Sequence, residues 1–165
     1  IKFKAVFPLP LYNGEVYRLI VAIAMHANFM HLFGNTLTAL VILSRVEHTY
    51  RWWTILFYLI AGIAGNIFVA VTSTSPYMTV TVGASTSLYG MMGVLVGYFI
   101  VNWNGLQFVP FVLKLKVMFT TVLMVVFSLL FTIGSKGISH FGHLGGFLAG
   151  LWLSGIPTPI LNGPR

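Results

Sequence analysis

Apolar residues run along this chain in long blocks separated by short polar breaks, with no sustained alternation of apolar and polar positions. A helix needs about 20 mostly apolar residues to cross a bilayer, whereas the strands of a membrane barrel need a two-residue alternation. The pattern therefore predicts helices over about 27–44, 52–71, 85–101, 117–133 and 141–156. The breaks are legible as Arg45 to Arg51, Thr72 to Pro76, Asn102 to Pro110, Gly134 to Gly137, and Pro157 with Pro159. Trp52, Trp53 and Tyr58 stand near one end of the second block, where interfacial anchors belong. Residues 1–25 mix Lys2, Lys4, Pro8, Pro10, Gly14, Glu15 and Arg18 with apolar positions, too irregularly for a spanning helix, and read as a structured interfacial loop. The expected fold is an all-α polytopic membrane protein, one domain over 1–165, without repeat or linker.

Composition sharpens this picture. Only 7% of the residues are charged and mean hydropathy is +0.93, against about 25% charged residues in a soluble domain. From Trp52 through Leu113 there is no Asp, Glu, Lys or Arg at all. The net charge of +7 comes from scattered Lys and Arg that form no basic face, so loops facing anionic lipid explain it and nucleic acid is not an expected partner. With no cysteine in the chain, disulfide frameworks and thiol chemistry are excluded. Alternate loops carry nearly equal numbers of Lys and Arg, so the positive-inside rule does not orient the protein.

Against that background, polar residues within the blocks are functional candidates, because a bilayer penalises them. They gather at three places. His26, His31 and Asn35 lie at the approach to the first helix, and His31 and Asn35, four apart, share a face. The string Gly83-Ala84-Ser85-Thr86-Ser87-Leu88-Tyr89-Gly90 opens the third, with Tyr89 one turn beyond Ser85. His140 and His143 open the fifth. Helices that alternate in direction place all three on one side of the membrane, where Ser85, His143, His31 and Asn35 can converge. Gly90, Gly93 and Gly97 on the third helix and Gly142, Gly146 and Gly150 on the fifth have the spacing that permits close packing.

The chemistry open to these groups is acyl transfer. A serine hydroxyl needs a base to become a nucleophile, and histidine serves near neutral pH. Glu15 and Glu47 are the only acids, so a serine–histidine dyad is expected in place of a triad. Tyr89 can orient the histidine, and Asn35, His31 and backbone amides at the start of the third helix can stabilise an oxyanion. Plainer readings stand beside each assignment. Ser85 can be a helix cap, His31 and Asn35 can simply bond between helices, and the histidines can bind a metal or relay protons. The metal reading lacks accompanying carboxylates, thiolates or an H-E-x-x-H string.

Together these strings resemble the rhomboid family of intramembrane serine proteases, from Tyr17 onward. Tyr17-Arg18 is similar to the family's Trp-Arg pair, and His26, His31 and Asn35 match H-x-x-x-x-H-x-x-x-N. Glu47 falls at the position of a structural acid, GASTSLYG resembles G-x-S-G, and GHLGGFLAG resembles A-H-x-x-G-x-x-x-G. The resemblance implies Ser85 as nucleophile, His143 as general base, and Asn35 and His31 as oxyanion donors. Tyr89, Gly83, Gly146, Gly150, Arg18, Glu47 and His26 are then supporting residues. It also implies five helices of a six-helix core, the first lying upstream, with no cofactor or metal. The expected substrates are single-pass transmembrane proteins, cut at an extracytoplasmic or lumenal face in the secretory pathway or plasma membrane. Thr86 stands where the family usually has glycine, and is expected to narrow the cavity or shift Ser85. Gly142 replaces alanine. The alternative is an inactive rhomboid-like protein that binds or chaperones membrane clients, and a third reading is a histidine-based transporter.

Overall fold

A computed structural model describes residues 8–73, 81–105, 110–112, 114, 115, 119, 126 and 140–156. Six helices are described: α1 (Pro8–Tyr12), α2 (Arg18–Ala24), α3 (Phe29–Tyr50), α4 (Trp53–Thr72), α5 (Ser85–Val101) and α6 (His140–Leu153). No strand is present among the described residues. The sequence-predicted span over 117–133 lies, apart from Phe119 and Val126, outside the described residues, as do 74–80 and 157–165.

The expected loop over 1–25 contains α1 and α2, both too short for apolar periodicity to reveal. Helix α2 buries Ala22 and Ile23 and packs on α4. Helix α3 begins at Phe29, where the Asn28 side chain accepts a hydrogen bond from the His31 backbone N–H at 2.8 Å, satisfying one of the free donors of the first turn. It continues well past Ser44, because Ile42, Val46 and Tyr50 extend one buried stripe at four-residue spacing. Arg45, Glu47 and His48 are thus helical residues of the last turns, and Arg51, at φ +55°, closes the helix with its N–H on the Glu47 carbonyl.

Helices α3 and α4 are long and apolar enough to cross a membrane, at about 33 and 30 Å by helical rise. Phe29, Met30, Leu32, Phe33, Leu37 and Leu40 on α3 are exposed, a surface suited to hydrocarbon and not to water. The heart of the molecule is a three-helix contact in which α5 packs most extensively on α6, and α4 packs on both. The apolar core around it adds α3, joining Ile42 and Val46 of α3, Phe57 and Ala61 of α4, Met91 and Val94 of α5, and Leu153 of α6. The first turns of α3, α5 and α6 carry His31, Ser85 and His143, and this packing brings all three to one end.

Candidate active site

Helix α5 is preceded by Gly83 at φ +114°, a conformation that side-chain-bearing residues rarely adopt. Its N–H donates to the Ala22 carbonyl at 2.8 Å, tying this loop to α2. A Cβ at position 83 would lie 2.7 Å from His31 Cε1 and 3.3 Å from Asn35 Nδ2, so both side chains press on the loop that presents the serine. Ala84 takes the cap position and Ser85 is the first helical residue. The serine is therefore not a helix cap.

Its hydroxyl meets His143 instead, with Oγ 3.0 Å from Nε2, inside the range for proton transfer to a base. Tyr89 stacks on the imidazole, ring centroids 4.1 Å apart and planes 9° from parallel. Neither acid backs this histidine: Glu15 is bound to Arg18, and Glu47 lies in the last turns of α3, roughly 24 Å along the helix from His31. The aromatic stack, together with the Ser85 contact, holds the imidazole in place.

Asn35 Nδ2 is buried and has no hydrogen-bond partner among the described residues. His26 donates from Nδ1 to the Ala24 carbonyl at 3.3 Å, and its ring meets that of His31 edge-on at 5.3 Å. Burial pushes the His26 imidazole below histidine's ordinary range, against the opposing effect of the Ala24 bond. A cavity of about 440 Å³ opens here, lined by His26, Asn35 and Ala84 and running along α3 past Leu43 to Glu47 and Tyr58. Among the described residues, no three His, Asp or Glu side chains gather as a metal site would require.

The structure thus brings Ser85, His143, Tyr89, Gly83, His31, Asn35 and His26 to one end of the molecule. Glu47 remains at the far end of α3, and Arg18 forms a separate cluster. Its Nε and Nη2 donate to one Glu15 oxygen at 2.9 and 2.6 Å, and the Tyr17 hydroxyl donates to the same oxygen at 2.9 Å. Gly146 and Gly150 pack against the Thr86 and Gly90 carbonyls. Gly93 faces α6 in the same way, Gly90 lies first against Ala61 of α4 and then against the Gly146 carbonyl, and the carbonyl of Gly142 faces Gly65 on α4. Thr86 is fully buried. Its Cβ also faces Gly65, so the branched side chain lies behind Ser85 and does not line the cavity. Asn66 escaped the sequence reading, although it too is a polar residue in an apolar block. Its Nδ2 donates to the Leu19 carbonyl at 2.8 Å and braces α2 against α4.

The Rhomboid domain model matches residues 13–158. The chain belongs to the rhomboid family. It is 32% identical over 143 residues to RHOMBOID-like protein 5 of Arabidopsis thaliana, covering 86% of this chain and 44% of that protein. It is 30% identical over 163 residues to Rhomboid-like protease 1 of Toxoplasma gondii, covering 98% of this chain and 54% of that one. Inactive rhomboid protein 1 of Danio rerio is 30% identical over 159 residues, covering 93% of this chain and 18% of the relative. This rhomboid chain spans about half the length of the first two relatives, and the family includes both named proteases and a named inactive member.

Proposed function

We propose that this rhomboid domain is an intramembrane serine endopeptidase acting on single-pass transmembrane proteins through a Ser85–His143 dyad. The observation that carries the reading is the 3.0 Å approach of Ser85 Oγ to His143 Nε2, beside the buried Asn35 amide, which has no partner among the described residues. Ser85 Oγ attacks the substrate carbonyl carbon as His143 takes its proton. The resulting oxyanion accepts hydrogen bonds from Asn35 Nδ2, from His31, and from backbone N–H groups in the first turn of α5, which have no intrahelical partner. Collapse of the tetrahedral species breaks the C–N bond, and His143 returns the proton to the leaving amine. Water, deprotonated by the same histidine, then hydrolyses the acyl-serine ester.

The test is cleavage of a single-pass substrate in proteoliposomes by the full-length protein, with Ser85→Ala alongside. Cleavage lost in the variant supports the dyad, and cleavage retained by it sinks the assignment. The second reading, a binding or chaperone role, draws on the likeness to the inactive relative. Labelling of Ser85 by a fluorophosphonate, abolished by His143→Ala, would count against it. The membrane concerned is proposed to be that of the secretory pathway or the cell surface, which imaging of a tagged full-length protein decides.

A further inference from the structure

Helix α4 meets both residues that flank the catalytic pair at a single glycine. A Cβ at Gly65 would lie 2.6 Å from the Gly142 carbonyl oxygen, 3.1 Å from the Gly146 N and 3.1 Å from Thr86 Cβ. Gly142 immediately precedes the His143 base, and Thr86 immediately follows the Ser85 nucleophile. On the other side of the junction, Gly146 sits directly on the Thr86 carbonyl. Two of the three atoms facing Gly65 are backbone and cannot rotate away. One turn earlier on the same helix, Gly62 differs, since a Cβ there would first meet only side-chain atoms, Ser87 Oγ and the end of the Ile23 side chain, and no main chain.

We infer that Gly65 is a positioning residue for the Ser85–His143 pair. Its missing side chain lets α5 and α6 close on one point of α4, and this closure sets the gap across which the proton passes. Thr86, the departure from the usual family pattern, fills the hollow that Gly65 leaves. A methyl group at 65 acts as a wedge between the residue after the nucleophile and the residue before the base. A 3.0 Å contact lies near the upper end of the roughly 2.6–3.2 Å reach for proton transfer, so widening it by a few tenths of an ångström slows the transfer.

This rests on the proposed dyad, and the experiment separates the two. Wild type, Gly65→Ala, Thr86→Gly, their double variant and Gly62→Ala are reconstituted as the full-length protein. Each is assayed for kcat and KM on a membrane substrate, fluorophosphonate labelling and thermal unfolding. Gly65→Ala is expected to remain folded, keep its KM and lose kcat by roughly ten- to a hundredfold, the scale of a sub-ångström to 1 Å misplacement. Gly62→Ala loses less. In the Thr86→Gly background the kcat loss from Ala at 65 is smaller, because one of the three opposing groups is gone and the effects of contacting residues do not add.

Equal kcat for wild type and Gly65→Ala, identical losses in both backgrounds, or an equal loss from Gly62→Ala overturns the inference while leaving the dyad intact. Should Gly65→Ala alone not fold, the comparison of Thr86→Gly with the double variant decides. A lower kcat at unchanged KM in the double variant supports the role, and equal kcat or failure to fold overturns it. A wild type inert to both substrate and probe overturns the dyad, and this inference with it.

Discussion

A buried amide donor without an acceptor costs about 1–3 kcal/mol, and among the described residues Asn35 Nδ2 meets none. Catalysis would recover that cost, because the acceptor arrives only with the oxyanion. Asn35→Ala is therefore expected to lower kcat by roughly 10²–10³-fold with little change in KM, while the unfolding temperature holds or rises. Kinetics and thermal unfolding on the same preparation check this, and activity kept with stability lost would mark Asn35 as a structural brace. Ser85, His143, His31 and Asn35 were legible in the sequence as polar groups where a bilayer should have excluded them. Asn66 gave the same signal and was passed over. Gly65 gave none, being one of 17 glycines whose neighbours come from positions 86, 142 and 146. Only tertiary packing assembles that environment.

Among the helices, α3 shows where pattern reading reaches its limit. Its polar residues Arg45, Glu47 and His48 looked like an exit from the membrane, yet the buried stripe through Val46 and Tyr50 carries the helix onward. Helix α2 was missed because its seven residues give barely two turns of periodicity. It opens at Arg18, beside the Glu15 carboxylate. The hydrogen bond from Arg18, assisted by that from Tyr17, holds Glu15 below the usual carboxylate range. A depressed carboxylate stabilises the fold above its unfolded pKa, and that contribution fades as pH falls through the lower folded value. Acidification below about pH 4.3, the ordinary glutamate value, is thus expected to loosen the start of α2. Amide hydrogen exchange over residues 15–21 reads this out. Relative to the intrinsic exchange rate, which itself varies with pH, Glu15→Gln should be less protected than wild type at neutral pH and lose no further protection on acidification, and an acid-induced loss of protection that persists in it would refute the account.

At the level of the whole molecule, backbone contact between α5 and α6 holds the serine and histidine elements together. A Cβ at Gly150 would coincide with the Gly90 carbonyl, with main chain on both sides and no rotamer to relieve it. Gly150→Ala should separate the two helices, destabilising the protein by about 1–3 kcal/mol or more and abolishing cleavage. Gly155→Ala, whose nearest atom is 3.4 Å away, should do neither, and matched unfolding temperatures for the two variants would contradict this packing. Helix α2 is integrated differently. It is held by its carbonyls at Leu19 and Ala22, three residues apart on one face, which accept from Asn66 and from the Gly83 N–H. Contacts made through the main chain do not depend on which side chain position 19 bears, so that position is free to vary while the register of the helix is not. One inserted residue would swing the later carbonyl by about 100° away from the loop that carries Gly83 and Ser85. A segment far from Ser85 in sequence would thereby tolerate substitution at its exposed positions, though not at the buried Arg18, Ala22 and Ile23, and scarcely any change of length.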